Sequence, residues 1–340
     1  MKAISIPAPR QVEIVDIPEP QLGPEDVLIE VHYVGLCGSD LGMYRGTFAI
    51  GSYPRIPGHE VGGIVVARGG EVPDLVQEGD RVMLSPYSNC GLCPACRLGR
   101  PNCCQFNQTL GLQRDGALAE HFAIDYSKAF ASDVLTLEEM ALVEPLSVGY
   151  HAANRGQVRE VDSVLVIGCG TVGMGAVAAS ARKGATVIAV DVDETKLAQA
   201  RKLGALHTVD SAQQDVLSTI NQLTGGEGVS VAIEAVGLPQ TYRLAVDAVC
   251  YAGRVVCVGY AKQEVCFDTA LFVRKELDIR GSRNALRDFP AVIQMLEKRQ
   301  QPFAELISRV YPFGETGQAL ADWDSNPGQM AKILIDVTAL

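Results

Sequence analysis

Positive charge is scarce in this chain: 29 Lys and Arg stand against 40 Asp and Glu, a net charge of −11 over 340 residues. General nucleic-acid and anionic-membrane binders need a concentrated basic surface, so neither is expected as a partner. The N-terminal stretch Met1-Lys2-Ala3-Ile4-Ser5-Ile6-Pro7 lacks an apolar run of signal-peptide length, which predicts a cytoplasmic product. Ser163 to Ala181 carries no charge over 19 residues, long enough to span a membrane, but its four glycines and β-branched start argue against a span. Internal repeats and low-complexity segments are also missing. What is present, 47% hydrophobic and 20% charged residues, suits globular domains, and the length suits two of them.

Of ten cysteines, five crowd between Cys90 and Cys104. In a reducing compartment that crowding reads as metal binding rather than as a disulfide framework. The first 125 residues are dense in Gly, Pro and short β-branched runs such as Val27–Val31 and Gly62–Val66, the texture of an irregular, mostly antiparallel β domain. From about Val161 the texture changes. Apolar runs at Val164–Ile167, Val187–Val190, Val231–Ile233 and Val255–Val258 alternate with helix-like stretches such as Glu194–Leu203 and Gln240–Cys250, predicting βαβ units on a parallel sheet. Near the end, Lys332–Asp336 reads as a strand that returns to the N-terminal domain and makes it discontinuous.

Val164–Ile167 runs directly into Gly168-Cys169-Gly170-Thr171-Val172-Gly173 and then into a helix-compatible segment, the context that turns a GxGxxG pattern into a dinucleotide fingerprint. Gly168 permits the tight turn, Gly170 lets backbone approach the pyrophosphate, and Gly173 allows close helix packing. The following helix N-terminus offers N–H groups and partial positive charge to the phosphates. Asp191 closes the next apolar run 23 residues after Gly168, where a carboxylate binds ribose hydroxyls and repels a 2′-phosphate, so NAD is expected over NADP.

Two metal constellations stand out. Cys90, Cys93, Cys96 and a cysteine at 103 or 104 place four thiolates in one loop, a coordinatively closed tetrahedral zinc site of structural type. The second is dispersed: Cys37 in Gly35-Leu36-Cys37-Gly38-Ser39-Asp40, His59-Glu60, and Glu144 before Pro145. One thiolate, one imidazole and one carboxylate leave a fourth zinc position open for substrate oxygen.

In these motifs and in Glu144-Pro145-Leu146-Ser147, the sequence resembles the zinc-containing medium-chain alcohol and polyol dehydrogenases over essentially its whole length. The resemblance implies an α/β protein: a GroES-like β-rich catalytic domain (1–146), a Rossmann doubly wound parallel-sheet domain (147–280) and a return to the catalytic domain (281–340). It implies two zinc ions per chain. Catalytic zinc falls to Cys37 and His59, with Glu60 and Glu144 competing for the third place, and structural zinc to Cys90, Cys93, Cys96 and Cys104. For NAD it implies contacts from Gly168, Gly170, Thr171, Val172 and Gly173, from Asp191 and Lys196, from Val258 and Gly259, and from Ser282 and Arg283. A homodimer or homotetramer is expected.

Glu144, where relatives carry a second cysteine, points to the sorbitol, sugar-alcohol and sugar-acid branch, which Gly281-Ser282-Arg283-Asn284 also resembles. One departure concerns the proton path. Many relatives carry a relay histidine five residues after the first zinc cysteine, and here that position is Gly42. Ser39, ribose hydroxyls and water are left to move the proton. The expected reaction is hydride transfer from a secondary hydroxyl of a polyol or sugar acid to NAD, giving a ketone. Arg45, Arg114 and Arg283 are candidate forks for a substrate carboxylate, each weighed against ordinary surface solvation. The alternatives are an amino-acid dehydrogenase resembling L-threonine 3-dehydrogenase and, in a different class, a redox-inactive NAD-binding sensor. His32, His121 and His207 have no partner motif, and His151 is expected to be packed.

Overall fold

The computed structural model describes residues 1–48, 52–328 and 330–339. The chain divides into two compact units. The first holds Met1–Glu144, Phe289–Arg299 and Phe303–Leu340, and the second holds Pro145–Asp288 and Gln300–Pro302. The expected break at 280/281 therefore lies later, because residues 281–288 stay with the second unit. There the Asp288 carboxylate accepts from His151 Nδ1 at 2.9 Å, Asn154 Nδ2 at 2.8 Å and the Leu286 N–H at 2.7 Å. His151, buried in this network, is packed as expected.

The first unit is built on a seven-stranded sheet centred on the long strand Asp26–Leu36. That strand pairs antiparallel with Glu60–Arg68 on one side and with the C-terminal strand Lys332–Asp336 on the other, Ile333 lying opposite Leu36. Its alternating burial reflects the period of two in side-chain direction, with Val27, Ile29, Val31 and Val34 entering the core. This central pairing brings three segments together: the residue after Leu36, the residues at the start of Glu60–Arg68, and Lys332.

The second unit is a six-stranded parallel sheet in the spatial order His207–Asp210, Thr186–Asp191, Ser163–Ile167, Val229–Glu234, Val249–Cys257, Asp278–Gly281. Chain order reverses between Ser163–Ile167 and Val229–Glu234, and ligands of doubly wound sheets bind beyond the strand ends at such a switch point. The uncharged stretch is the strand Ser163–Ile167 followed by the helix Thr171–Arg182. Among the described residues no helix is long and apolar enough to cross a membrane.

Candidate functional site

Four cysteines meet in the loop after the strand Arg81–Leu84. Their sulfur atoms lie within 4.8 Å of one another, with Cys93–Cys96 at 3.5 Å, Cys90–Cys104 at 3.6 Å and Cys93–Cys104 at 3.9 Å. A tetrahedron with metal–sulfur bonds of about 2.3 Å has edges of about 3.8 Å, so the thiols already stand near the corners that zinc requires. Backbone N–H groups of Leu92 and Cys93 point at Cys90 Sγ, and those of Cys90 and Phe106 at Cys104 Sγ. Such donors favour thiolate: they lower the Cys90 pKa, and backbone donors from Cys96 and Gln105 bring Cys93 down to about 6. Cys103 stands apart, with its sulfur 3.8 Å from the Arg100 guanidinium, so the geometry selects Cys104 from the adjacent pair.

The second cluster is assembled from the central sheet. Cys37 caps the helix Gly38–Tyr44 as the chain leaves its long strand, and Asp40 Oδ2 accepts the Cys37 N–H at 2.8 Å. Cys37, His59 and Glu60 bring their ligand atoms within 4.8 Å of one another. Asp40 is fully buried, and its Oδ1 lies 4.0 Å from His59 Nδ1. Among the described residues neither atom has a hydrogen-bond partner, although both are buried. Burial pulls the His59 pKa down, yet Cys37, Asp40 and Glu144 together raise it well above its ordinary value. The acids and the thiol around His59 thus favour its charged form.

Glu60 is 1% exposed and its Oε2 is paired with Lys332 Nζ, itself 4% exposed, which also donates to the Leu36 carbonyl at 2.9 Å. Glu144 lies outside the Cys37–His59–Glu60 cluster; its Oε1 accepts from the Tyr87 hydroxyl. Burial moves Glu144 up to about 7, with His59 working in the opposite direction. Ser39 Oγ is buried and has no hydrogen-bond partner among the described residues. Gly42 sits among Phe48 and Thr47 with no clash waiting for a side chain.

Sequence reasoning missed Asp40, Tyr87 and Lys332. Asp40 was within reach, since an acid three residues after the residue preceding a helix is a capping signal. Tyr87 gave no signal. Lys332 opens an apolar strand, but only strand pairing shows that its amine ends on Glu60.

In the second unit Gly168 has φ +94°, a left-handed conformation that side chains resist, and a Cβ on Gly173 would fall 1.8 Å from the Gly168 carbonyl oxygen. Gly170 precedes the helix Thr171–Arg182 and faces open space, while Thr171 is buried and Val172 follows in the first turn. Asp191 ends its strand with its carboxylate on the Cys169 N–H at 2.6 Å and the Val192 N–H at 2.8 Å, which fixes it beside the glycine turn. Lys196 lies in the helix that Asp193 caps. Val258 and Gly259 both donate their N–H to the Glu234 carbonyl at the end of the neighbouring strand. Ser282 Oγ is buried without a hydrogen-bond partner among the described residues, and Arg283 beside it is exposed.

Of the other candidate arginines, Arg45 is taken: its guanidinium pairs with Asp324, which also binds Arg10 at 3.0 Å. It is therefore not a fork for substrate.

Known proteins match this chain along its length. Residues 23–133 match the alcohol dehydrogenase GroES-like domain and residues 171–298 the zinc-binding dehydrogenase domain. Sorbitol dehydrogenase of Bacillus subtilis (strain 168) is 35% identical over 328 residues, covering 94% of this chain and 92% of that protein. L-galactonate-5-dehydrogenase of Escherichia coli (strain K12) is 31% identical over 299 residues, covering 88% and 87%. The solved structure of galactitol-1-phosphate dehydrogenase from Escherichia coli has a TM-score of 0.91 at 28% identity, covering 99% of this chain and 100% of that one.

Proposed function

Because the chain belongs to the zinc-dependent medium-chain alcohol and polyol dehydrogenases, we propose that it oxidises a secondary hydroxyl of a polyol or sugar acid to a ketone, with NAD accepting the hydride. The observation that carries this reading is the convergence of Cys37 with the buried His59 and Glu60, together with a Ser39 hydroxyl unpartnered among the described residues. Two protons and two electrons leave the alcohol: hydride goes to the nicotinamide ring and the hydroxyl proton goes to solvent. Zinc supplies a Lewis acid that acidifies the substrate hydroxyl, and NAD supplies the electron sink.

Cys37, His59 and Glu60 hold the catalytic zinc in this proposal, and Cys90, Cys93, Cys96 and Cys104 hold a structural one, two per chain. Asp40 orients the His59 ring through Nδ1, and Lys332 fixes the direction of the Glu60 carboxylate, the outer-shell support that metal sites need. Ser39 Oγ takes the substrate hydroxyl proton and passes it to ribose hydroxyls and water, since Gly42 offers no imidazole. Tyr87 holds Glu144 through its hydroxyl, and in this proposal the Glu144 carboxyl hydrogen-bonds a substrate hydroxyl. Gly168, Gly170, Thr171, Val172 and Gly173 cradle the pyrophosphate, Asp191 with Lys196 binds the adenosine ribose, and Val258, Gly259, Ser282 and Arg283 border the nicotinamide half. Asp191 supports NAD over NADP because a carboxylate held there repels a 2′-phosphate. A cytoplasmic homodimer or homotetramer completes the reading.

The test is an initial-rate panel with zinc-loaded protein and NAD: neutral polyols, aldonates, threonine and short primary alcohols. A polyol or aldonate with the highest kcat/KM supports the assignment. If ethanol or another short primary alcohol is turned over more efficiently than every polyol and aldonate, the assignment fails.

A further inference from the structure

Among the described residues, two cations of the first unit, Arg114 and Lys128, form no ion pair with an acid. Arg114 sits on the loop 109–118, which is pinned on two sides. On one side Gly116 N, Ala117 N and Leu118 N donate to Ile56, Gly58 and Pro57, the residues that lead into His59. On the other, Leu110, bridged to Arg114, donates its N–H to Pro86 at 3.0 Å, next to Tyr87. The Arg114 guanidinium is half-buried, and its Nε is buried with no hydrogen-bond partner among the described residues. The neighbouring acid is unavailable: Asp115 binds the Arg55 guanidinium at 2.9 Å and the Ile56 N–H at 3.1 Å.

Lys128 lies close enough to feel the Arg114 charge. Its half-buried ammonium donates to the Tyr87 carbonyl at 2.7 Å, using one of three donors. Burial lowers the Lys128 pKa and the Arg114 charge lowers it further, with Asp125 opposing; burial alone lowers Arg114. Asp125 itself is turned onto the Ser127 N–H at 2.9 Å. Two like charges, both half-desolvated, one with a buried Nε unpartnered among the described residues and the other with a single printed acceptor, form an arrangement that suits an anion. Tyr87 links it to the zinc pocket: its carbonyl anchors Lys128 and its hydroxyl anchors Glu144.

We propose that Arg114 and Lys128 form a subsite for a terminal oxyanion, carboxylate or phosphate, at the far end of a substrate whose secondary hydroxyl lies at Cys37, His59 and Glu60. The inference rests on the polyol-oxidation reading above and deepens it: the preferred substrate is an anionic polyol. Arg114 grips the oxyanion with a planar fork, and Lys128 adds a point charge.

The experiment compares kcat/KM for three substrates of equal chain length, a neutral polyol, the aldonate and the polyol phosphate, in wild type, Arg114→Gln, Arg114→Lys and Lys128→Gln. The readout is the ratio of anionic to neutral kcat/KM. Loss of a charge-assisted hydrogen bond should lower that ratio about tenfold or more in Arg114→Gln, with partial recovery in Arg114→Lys. Whichever anion suffers more identifies the source as carboxylate or phosphate. Inorganic phosphate should inhibit wild type competitively against the neutral polyol, and less in either charge-removing variant. A ratio that stays within about threefold of wild type in both Arg114→Gln and Lys128→Gln overturns the subsite. If Arg114→Gln fails to fold, Lys128→Gln and the phosphate inhibition decide. Oxidation of neutral polyols with no anion effect sinks this inference alone, whereas no turnover of any polyol sinks the proposed function.

Discussion

Lys332→Met is the most informative single change, because it removes a charge from a pair that water hardly reaches. Lys332 is 4% exposed and Glu60 1%, and the amine is the only described cation on that carboxylate. Methionine fills similar volume, so the main loss is electrostatic: Glu60 is left buried and unpaired, which typically costs about 3–5 kcal/mol. For a unit of this size that converts to a fall of about 6–20 °C in Tm. The deficit should be largest after zinc is removed by chelation. Added zinc, bound by Cys37, His59 and Glu60, would neutralise the stranded carboxylate and return much of the loss by preferential binding to the folded state. Thermal unfolding followed by circular dichroism, with and without zinc, measures both quantities. A zinc-free Lys332→Met protein that melts within about 2 °C of wild type would show that the pair contributes nothing and that the reasoning about Glu60 is wrong.

Metal analysis should give close to two zinc ions per chain, with Cys37→Ala losing one ion and turnover while Cys93→Ser loses the other and mainly lowers Tm; loss of both ions in either variant refutes their independence. Asp191→Ala should weaken NAD binding and narrow its advantage over NADP, measured as the ratio of kcat/KM values. A wild-type preference for NADP would contradict the placement of Asp191. Hydrogen bonding and charge from Arg45, with help from Arg10, hold Asp324 below the usual carboxylate range. Its stabilisation is therefore present above that ordinary range and lost as pH falls through the lowered value. Asp324→Asn should flatten the acid limb of the stability profile, and an unchanged limb in urea unfolding between neutral and acid pH would refute the pairing.

Much of the site is local in sequence and was legible there. The glycine turn 168–173 works through backbone conformation and close approach, which glycine spacing states directly, and Asp191 follows at the end of the next strand because one helix separates the two. The four-cysteine loop is likewise short enough that spacing alone brings the thiols together. Strand runs such as Val164–Ile167 and Lys332–Asp336 were readable because burial on both faces demands continuous apolar residues. The extension of the second unit to Asp288 was not readable, since it depends on where one carboxylate meets His151 and Asn154.

Tertiary structure decided the rest. Whether Cys103 or Cys104 joins the thiolate cluster turns on side-chain direction, not on spacing. Which of Glu60 and Glu144 lies within reach of Cys37 and His59, the capture of Glu60 by a lysine 272 positions away, the link from Tyr87 to Glu144 and the pairing of Arg45 with Asp324 all depend on strand register and helix packing. The sequence could name the groups able to bind metal, proton or anion, because chemistry belongs to the residue. Which of them remain unpaired, and so free to act, is fixed only when folding has buried each one against its neighbours, because charge and hydrogen-bonding capacity are satisfied in space and not along the chain.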